Sequence, residues 1–170
     1  MCFNFRFTFV KIIALKQVAI LLMLTAILGS CVQTGVFEKT ITLQKHEWPT
    51  SQKPVIRFNI TDTNVNYRVF FVIRHTNAYR YNNLWIKVLS KGPGDSLQQK
   101  QQFDLPLATN NKWNGTGMDD IFDQRILLSQ RPLTVIKPGI YEFTIQHIMR
   151  EDPLQEILNV GIRLEKTTLP

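Results

Sequence analysis

From residue 36 onward, apolar and polar residues alternate with a period of two through most of the chain, the mark of strands buried on one face. Phe37, Lys39, Ile41 and Leu43 share one side, against Glu38, Thr40, Thr42 and Gln44 on the other. Ile56, Phe58 and Ile60 alternate with Arg57, Asn59 and Thr61 in the same way. Segment 67–75 is richer: Tyr67, Val69, Phe71 and Ile73 take one face, while Phe70 and Val72 lie between Arg68 and Arg74 on the other. That strand is expected at the centre of a sheet, covered on both sides for part of its length. Leu84–Leu89, closed by the Gly-Pro-Gly turn at 92–94, is expected to be its hairpin partner.

Shorter strands are expected at 103–107 and 125–128, and longer ones where Tyr141, Phe143, Ile145, His147 and Met149 alternate with polar residues and where Leu158, Val160, Ile162 and Leu164 do. Many strands separated by turns, without a long helical period, predict an all-β fold: an antiparallel β-sandwich of jelly-roll or immunoglobulin-like type, over residues 37–166. Only Met118–Phe122 reads as a helical turn, with Asp119 or Asp120 as its cap.

The first thirty residues follow a different pattern. Arg6, Lys11 and Lys16 precede the uncharged, mostly apolar run Val18–Leu28, a signal peptide's basic region and core. That run is too short for a bilayer-crossing helix of about 20 residues. It ends in Leu28-Gly29-Ser30-Cys31, which resembles the cleavage site of bacterial lipoprotein signals, with small residues before the cysteine. The resemblance implies a signal peptide over residues 1–30. It makes Cys31 the mature amino terminus, with a diacylglycerol on its thiol and a further acyl chain such as palmitate on its amine. Residues 31–36 then form a lipidated tether. Two or three chains anchor firmly where one holds only marginally.

This changes how composition and charge are read. The 170 residues carry 20 Lys and Arg against 13 Asp and Glu, but the leader contains three of the basic residues and no acidic one, so 17 against 13 remain after cleavage. The basic balance is then modest, and a nucleic-acid role is not expected of an exported chain. Cys2 leaves with the leader and Cys31 carries the lipid, so no disulfide and no cofactor beyond the covalent lipid are expected.

Spacings that announce an enzyme are missing: there is no G-x-S-x-G, H-E-x-x-H, phosphate loop or dinucleotide fingerprint. His46, His75 and His147 fall on different strands or strand ends, and Asp119, Asp120 and Asp123 lack the alternation of a calcium loop, so no metal site is expected. Two places stand out for binding. The segment Trp113, Asn114, Gly115, Gly117, Asp119 and Asp120 combines a large ring, flexible turn residues and carboxylates, and is a candidate interaction loop. Tyr79, Tyr81 and Trp85 surround a turn and are the alternative, a platform for stacking sugars.

Beyond the lipoprotein cysteine, a set of segments recurs in order: Val36-Phe-Glu-Lys39 and Trp48; Phe58-Asn-Ile-Thr-Asp62; Tyr67–Arg74; Tyr81-Asn-Asn-Leu-Trp85; Lys112-Trp-Asn-Gly-Thr-Gly117; Gly139-Ile-Tyr-Glu-Phe143; Gln146-His-Ile-Met-Arg150; and Asn159-Val-Gly-Ile-Arg163. Together they resemble the gliding motility lipoprotein GldH family of the Bacteroidota. The resemblance implies a non-enzymatic accessory lipoprotein of gliding, associated with the envelope machinery that also drives type IX secretion. Its expected partners are the membrane, through the lipid, and other gliding or secretion envelope proteins. Only Cys31 carries over as a functional position. The absence of an acidic run after Cys31 favours an outer-membrane position facing the periplasm. A carbohydrate-binding envelope lipoprotein is the alternative, and an enzyme without a recognisable motif the third.

Overall fold

The structure is a computed structural model that describes residues 35–167. The leader and Cys31 lie outside the described residues. Eight longer strands carry the fold: β1 (Val36–Thr42), β2 (Val55–Ile60), β3 (Asn66–Thr76), β4 (Asn83–Lys91), β5 (Gln99–Pro106), β6 (Ile121–Leu127), β7 (Gly139–His147) and β8 (Ile157–Thr167). One sheet has the order β1–β8–β3–β6, widened by Thr116–Met118 beyond β6 and by Leu133–Thr134 beside β3. The other has the order β2–β7–β4–β5.

Every pairing is antiparallel, and four of them join the strands from the outside inward: β1 with β8, β2 with β7, β3 with β6 and β4 with β5. A ribbon folded back on itself and rolled gives this nesting, which is the jelly roll rather than the immunoglobulin order. It also corrects the expected hairpin. In a rolled ribbon the strands of each limb alternate between sheets and only the central pair, β4 and β5, stays together, so β4 leaves β3 and pairs with β5 and β7. The turn at 77–82 carries the chain across the sandwich instead of reversing it within one sheet.

The core lies between the sheets. From β3 it takes Tyr67, Phe71 and Ile73; from β8, Val160, Ile162 and Leu164; from β4, Leu84, Ile86 and Val88; and from β7, Tyr141, Phe143 and Ile145. Burying such side chains contributes roughly 1.5–3 kcal/mol each. Trp48, fully buried, closes one end of it, its indole N–H donating to the Gln52 carbonyl. β3 is central as its pattern predicts, and Val72 is buried on the outward face.

β1 corrects the tether boundary. Val36 already pairs with Glu165, and the Gly35 carbonyl accepts the Lys166 N–H, so the sheet begins before residue 37. Lys39 lies on the inner side of this edge strand, where an aliphatic residue would be expected. Its Nζ donates to the Arg57 carbonyl of β2 at 2.7 Å and stands 5.5 Å from the Phe58 ring centroid. The stem covers the core while the charge blocks the exposed edge.

Candidate functional site

The loop 113–120 is folded differently from its sequence reading. Thr116–Met118 pairs with Ile121–Asp123, so Met118–Phe122 is the tip of a β-hairpin and not a helical turn. Asp119, at φ 54°, occupies the left-handed conformation of the turn, and the Asp120 carbonyl accepts the Asn77 N–H. A short polar residue tolerates that conformation, so the feature read as a cap serves as a turn. Two glycines seat the hairpin. A side chain at Gly115 would collide with the Asp123 carbonyl, and one at Gly117 would meet the Phe122 ring at 2.7 Å.

Trp113 is half-buried and faces inward. Its ring lies 4.6 Å from that of His75, edge-on, and 6.0 Å from that of Phe122, and its N–H donates to Asn77 Oδ1 at 2.7 Å. His75 itself is fully buried at the end of β3. Its Nδ1–H donates to the Thr76 carbonyl, which leaves Nε2 to accept from the Gln124 amide at 3.0 Å. Burial holds this imidazole below its ordinary value, against the opposing Thr76 backbone and Asp123 carboxylate. The cluster is a packed, neutral corner of the core. Asn114 is also spent on structure, bonding the Leu107 and Pro106 carbonyls. What the loop offers to solvent is its tip, where Met118 and Ile121 flank Asp119 and Asp120, and Met118 is 77% exposed. Neither apolar residue is among the positions singled out from the sequence, where Met118–Phe122 reads as a helical turn.

The aromatic trio divides. Tyr79 is buried, its hydroxyl donates to the Asn83 carbonyl, and burial, with Tyr81 and Glu151 nearby, pushes its phenol far above the ordinary value. It presents no face to a sugar, which corrects that part of the platform. Tyr81 packs edge-on against it at 5.7 Å. Trp85, 42% exposed on the outer side of β4, shares with Tyr81 a surface hollow of about 540 Å³ that is completed by Gln102, Ile148, Met149 and Arg150.

His147, on the inner side of β7, is fully buried with its ring 5.1 Å from Trp48. No hydrogen bond of good geometry reaches either ring nitrogen among the described residues. Burial lowers its proton affinity, opposed by the Asp152 carboxylate and the Trp48 backbone. Asp152 is in turn tied to Thr50, accepting from its backbone N–H and its hydroxyl at 2.8 and 2.6 Å. His46 is exposed, so the three histidines stand apart. Among the described residues no three His, Cys, Asp or Glu side chains converge as metal ligands.

One opening into the core was not foreseen. Between β5 and the 128–133 segment the sandwich parts, leaving adjoining cavities of about 240 and 320 Å³ that share Ser90, Gln99, Leu133 and Phe143. Gln99 and Gln101 occupy the same face of β5 that Phe103 and Leu105 continue further along the strand. No local signal marks such a cleft, since its walls come from four distant stretches of chain.

The fold in hand, comparison with known proteins decides the family. Residues 35–164 match the family model described as GldH lipoprotein. The chain belongs to the GldH lipoprotein family. A protein named "Gliding motility lipoprotein GldH homolog" from Christiangramia forsetii is 28% identical over 147 residues, covering 82% of this chain and 88% of that one. "Gliding motility lipoprotein GldH" from Flavobacterium johnsoniae is 24% identical over 160 residues, covering 89% and 98%.

The GldH match takes in nearly the whole jelly roll, from the start of β1 into β8. Several segments that carry the resemblance hold the fold: Trp48 closes the core, Lys112–Gly117 packs on His75, and Gly139 lies against Pro93. No helix among the described residues is long and apolar enough to cross a membrane.

Proposed function

We propose that this GldH-family chain is an exported accessory lipoprotein of gliding motility. Acyl chains on Cys31 anchor it to the outer membrane facing the periplasm, and it acts through contacts with gliding and type IX secretion proteins rather than by turnover. The observation that carries the reading is the family match over residues 35–164, on a chain whose preceding segment ends in Leu-Gly-Ser-Cys. The site geometry supports it. The buried titratable groups His75, His147, Tyr67 and Tyr79 are packed inside the sandwich and do not line an open cleft. The exposed hairpin tip of Met118, Asp119, Asp120 and Ile121 has the mixture of apolar and charged groups used in protein contacts.

The test is genetic. Deleting the gene in a gliding host should abolish spreading, and the wild-type chain should restore it. The Cys31→Ser form should fail to restore it, lose labelling by a clickable palmitate analogue, and leave the membrane fraction. Full spreading in the deletion strain would overturn the motility role, and membrane retention of unlabelled Cys31→Ser protein would overturn the anchor.

Carbohydrate binding remains a second reading on one observation, the Trp85–Tyr81 hollow with Gln102 and Arg150 at its wall. Quenching of tryptophan fluorescence by envelope polysaccharide that disappears in Trp85→Ala would favour it. An unchanged spectrum would remove it.

A further inference from the structure

The end of the sandwich at which the chain enters β1 is built unlike the opposite end. Here lie the loop 61–65, the loop 92–98, the segment 129–138 and the close of β8. Loops 92–98 and 135–138 form one surface: Gly139 is packed against Pro93, the Tyr141 hydroxyl ties down the Lys137 carbonyl at 3.0 Å, and both loops line the larger core cavity. Of the seven large apolar residues that stand exposed among the described residues, four are at or beside this end: Leu97 at 83%, Ile136 at 81%, Ile140 at 57% and Phe37 at 43%. Leu97 and Ile136 stand on loops almost fully open to solvent, Ile136 at the mouth of the larger cavity.

Charge follows the same division. Lys91, Lys100, Arg131 and Lys137 surround these loops, and none forms an ion pair among the described residues. The acids nearby are engaged, Asp62 by Lys166 at 2.8 Å and Asp95 by the Gly92 N–H at 2.8 Å. At the opposite end Asp119, Asp120, Glu151, Asp152 and Glu156 are mixed with Lys45, Lys53, Arg80, Lys112 and Arg150, so that end carries both signs. Lysine stems with apolar loop tips, and few free acids, suit an interface of acyl chains and anionic headgroups.

The covalent reach of the tether supplies the occupant. Four residue steps separate Cys31 from Gly35, and an extended chain covers at most about 3.3–3.6 Å per residue, so a lipid on Cys31 stays within about 14 Å of the place where β1 begins. Gly35 is bonded to Lys166, Lys166 is paired with Tyr67, and Tyr67 with Leu133. Three strand spacings, about 14 Å, therefore lead from the tether across the end face to the loop bearing Ile136. An anchor that short holds this face against the bilayer surface.

We propose that the end bearing Leu97 and Ile136 is a lipid-contact face: it rests in the headgroup layer of the membrane that holds the anchor, with Lys91, Lys100, Arg131 and Lys137 against anionic headgroups. The proposal rests on the lipid anchoring proposed above. Its consequence is orientation, because the hairpin tip at Met118 and the Trp85 hollow then stand at the far end, turned toward envelope partners.

The test uses the native lipidated protein in vesicles of phosphatidylethanolamine with a minority of phosphatidylglycerol. Its lipid-bearing Cys31 has no free thiol, so a polarity-sensitive fluorophore can be placed through Leu97→Cys, Ile136→Cys or, as control, Met118→Cys. All three sites are highly exposed and should accept the label without unfolding. Labels at 97 and 136 should shift to the blue and be quenched several-fold more by headgroup-region spin-labelled lipid than the label at 118. Equal quenching at all three sites in protein that floats with the vesicles would overturn the lipid-contact face while leaving the anchor intact. A blue shift without lipid quenching would assign the face to a protein and overturn it too. Protein that fails to float would overturn the anchor and with it this orientation.

Discussion

Arg125 of β6 and Glu38 of β1 are joined across two intervening strands, with Nε 2.9 Å from Oε2 and Nη2 3.3 Å from Oε1. The guanidinium travels over β3 and β8, along the row in which Arg125 faces Val72 and Gly161 faces Thr40. Val72 thus points outward and is still only 4% exposed. Glu38 also accepts from Arg163 at 3.0 Å, and Arg163 reaches Glu165 at 2.7 Å, so one carboxylate ties the sheet together from edge to interior. Burial alone would raise the Glu38 carboxyl, but the hydrogen bonds from Arg125 and Arg163 outweigh it and hold it below the ordinary value.

Removing this strap should cost measurable stability without unfolding the domain. Arg125 is 44% and Glu38 26% exposed, so solvent screening limits the pair to about 1 kcal/mol, with a further loss from uncovering Val72. In urea melts, Arg125→Ala and the double change Arg125→Ala with Glu38→Ala should cost nearly the same once the separate Arg163 contact is allowed for. Fully additive losses would mean that the two residues do not act as a unit.

Gly161 lies beneath the same strap and has no room to grow. A Cβ there would strike the Lys39 carbonyl oxygen and come within 2.7 Å of Thr40 Cα, both backbone atoms of β1. Gly161→Ala must push β1 off β8 along a row of seven paired residues. The expected loss is about 2 kcal/mol or more, in the range of overpacking that backbone cannot relieve. Hydrogen exchange should show new opening of amides 36–42 in particular. Unchanged protection there would show that the strands give way locally.

How much of this was legible in the chain depends on what each residue answers to. Tyr67, Val69, Phe71 and Ile73 answer to a local rule, the period of two, and the sequence placed β3 correctly, including the second-face burial of Val72. The partner of a strand answers to no local rule. Leu84–Leu89 follows β3 closely along the chain and still belongs to the opposite sheet, because rolling the ribbon is decided by the whole set of pairings. Asp119 and Asp120 are ambiguous in kind, since a short acid suits a helix cap and a left-handed hairpin turn equally. Tyr79 was misread because an aromatic next to polar residues gives no sign that its hydroxyl will find a buried carbonyl. Ser90, Leu133 and Phe143 meet at the cleft from separate strands and had no shared signature.

Two buried neutral histidines set an acid limit on the fold. Burial lowers the proton affinity of both His75 and His147 in the folded state. The unfolded chain therefore takes up these protons first as pH falls, so stability is full above the ordinary imidazole value, near 6.5, and declines from there toward each lowered value. Thermal unfolding followed between about pH 7 and pH 5 should show a falling midpoint. His147→Leu leaves no hydrogen-bond partner stranded and should flatten that fall, while His75→Leu would leave the Gln124 amide with only its Leu107 bond and lower stability at every pH. A midpoint independent of pH over this window in the wild-type chain would refute the account.

The clearest separation between structure and contact lies in two residues of the 113–120 segment. Trp113 packs on His75, Tyr79 and Phe122 and bonds Asn77, whereas Met118, five positions on, is 77% exposed at the tip. Truncating a packed indole of this kind removes about 2–4 kcal/mol, and here it also leaves the Asn77 side-chain Oδ1 without its donor. Trp113→Ala should accordingly lower the urea midpoint and reduce the amount of folded lipoprotein in the envelope. Met118→Asp touches nothing in the core and should change stability by no more than about 0.5 kcal/mol. Its effect should fall on partner recovery, because an apolar group at the tip is exchanged for a charge beside Asp119 and Asp120. Crosslinking followed by recovery from the envelope, normalised to folded protein, decides between the roles: Met118→Asp should lose partners at full protein level, and Trp113→Ala should lose them only in proportion to its folded fraction. Normal recovery with Met118→Asp would remove the tip as a contact surface, and lost recovery at full stability with Trp113→Ala would return that role to the indole.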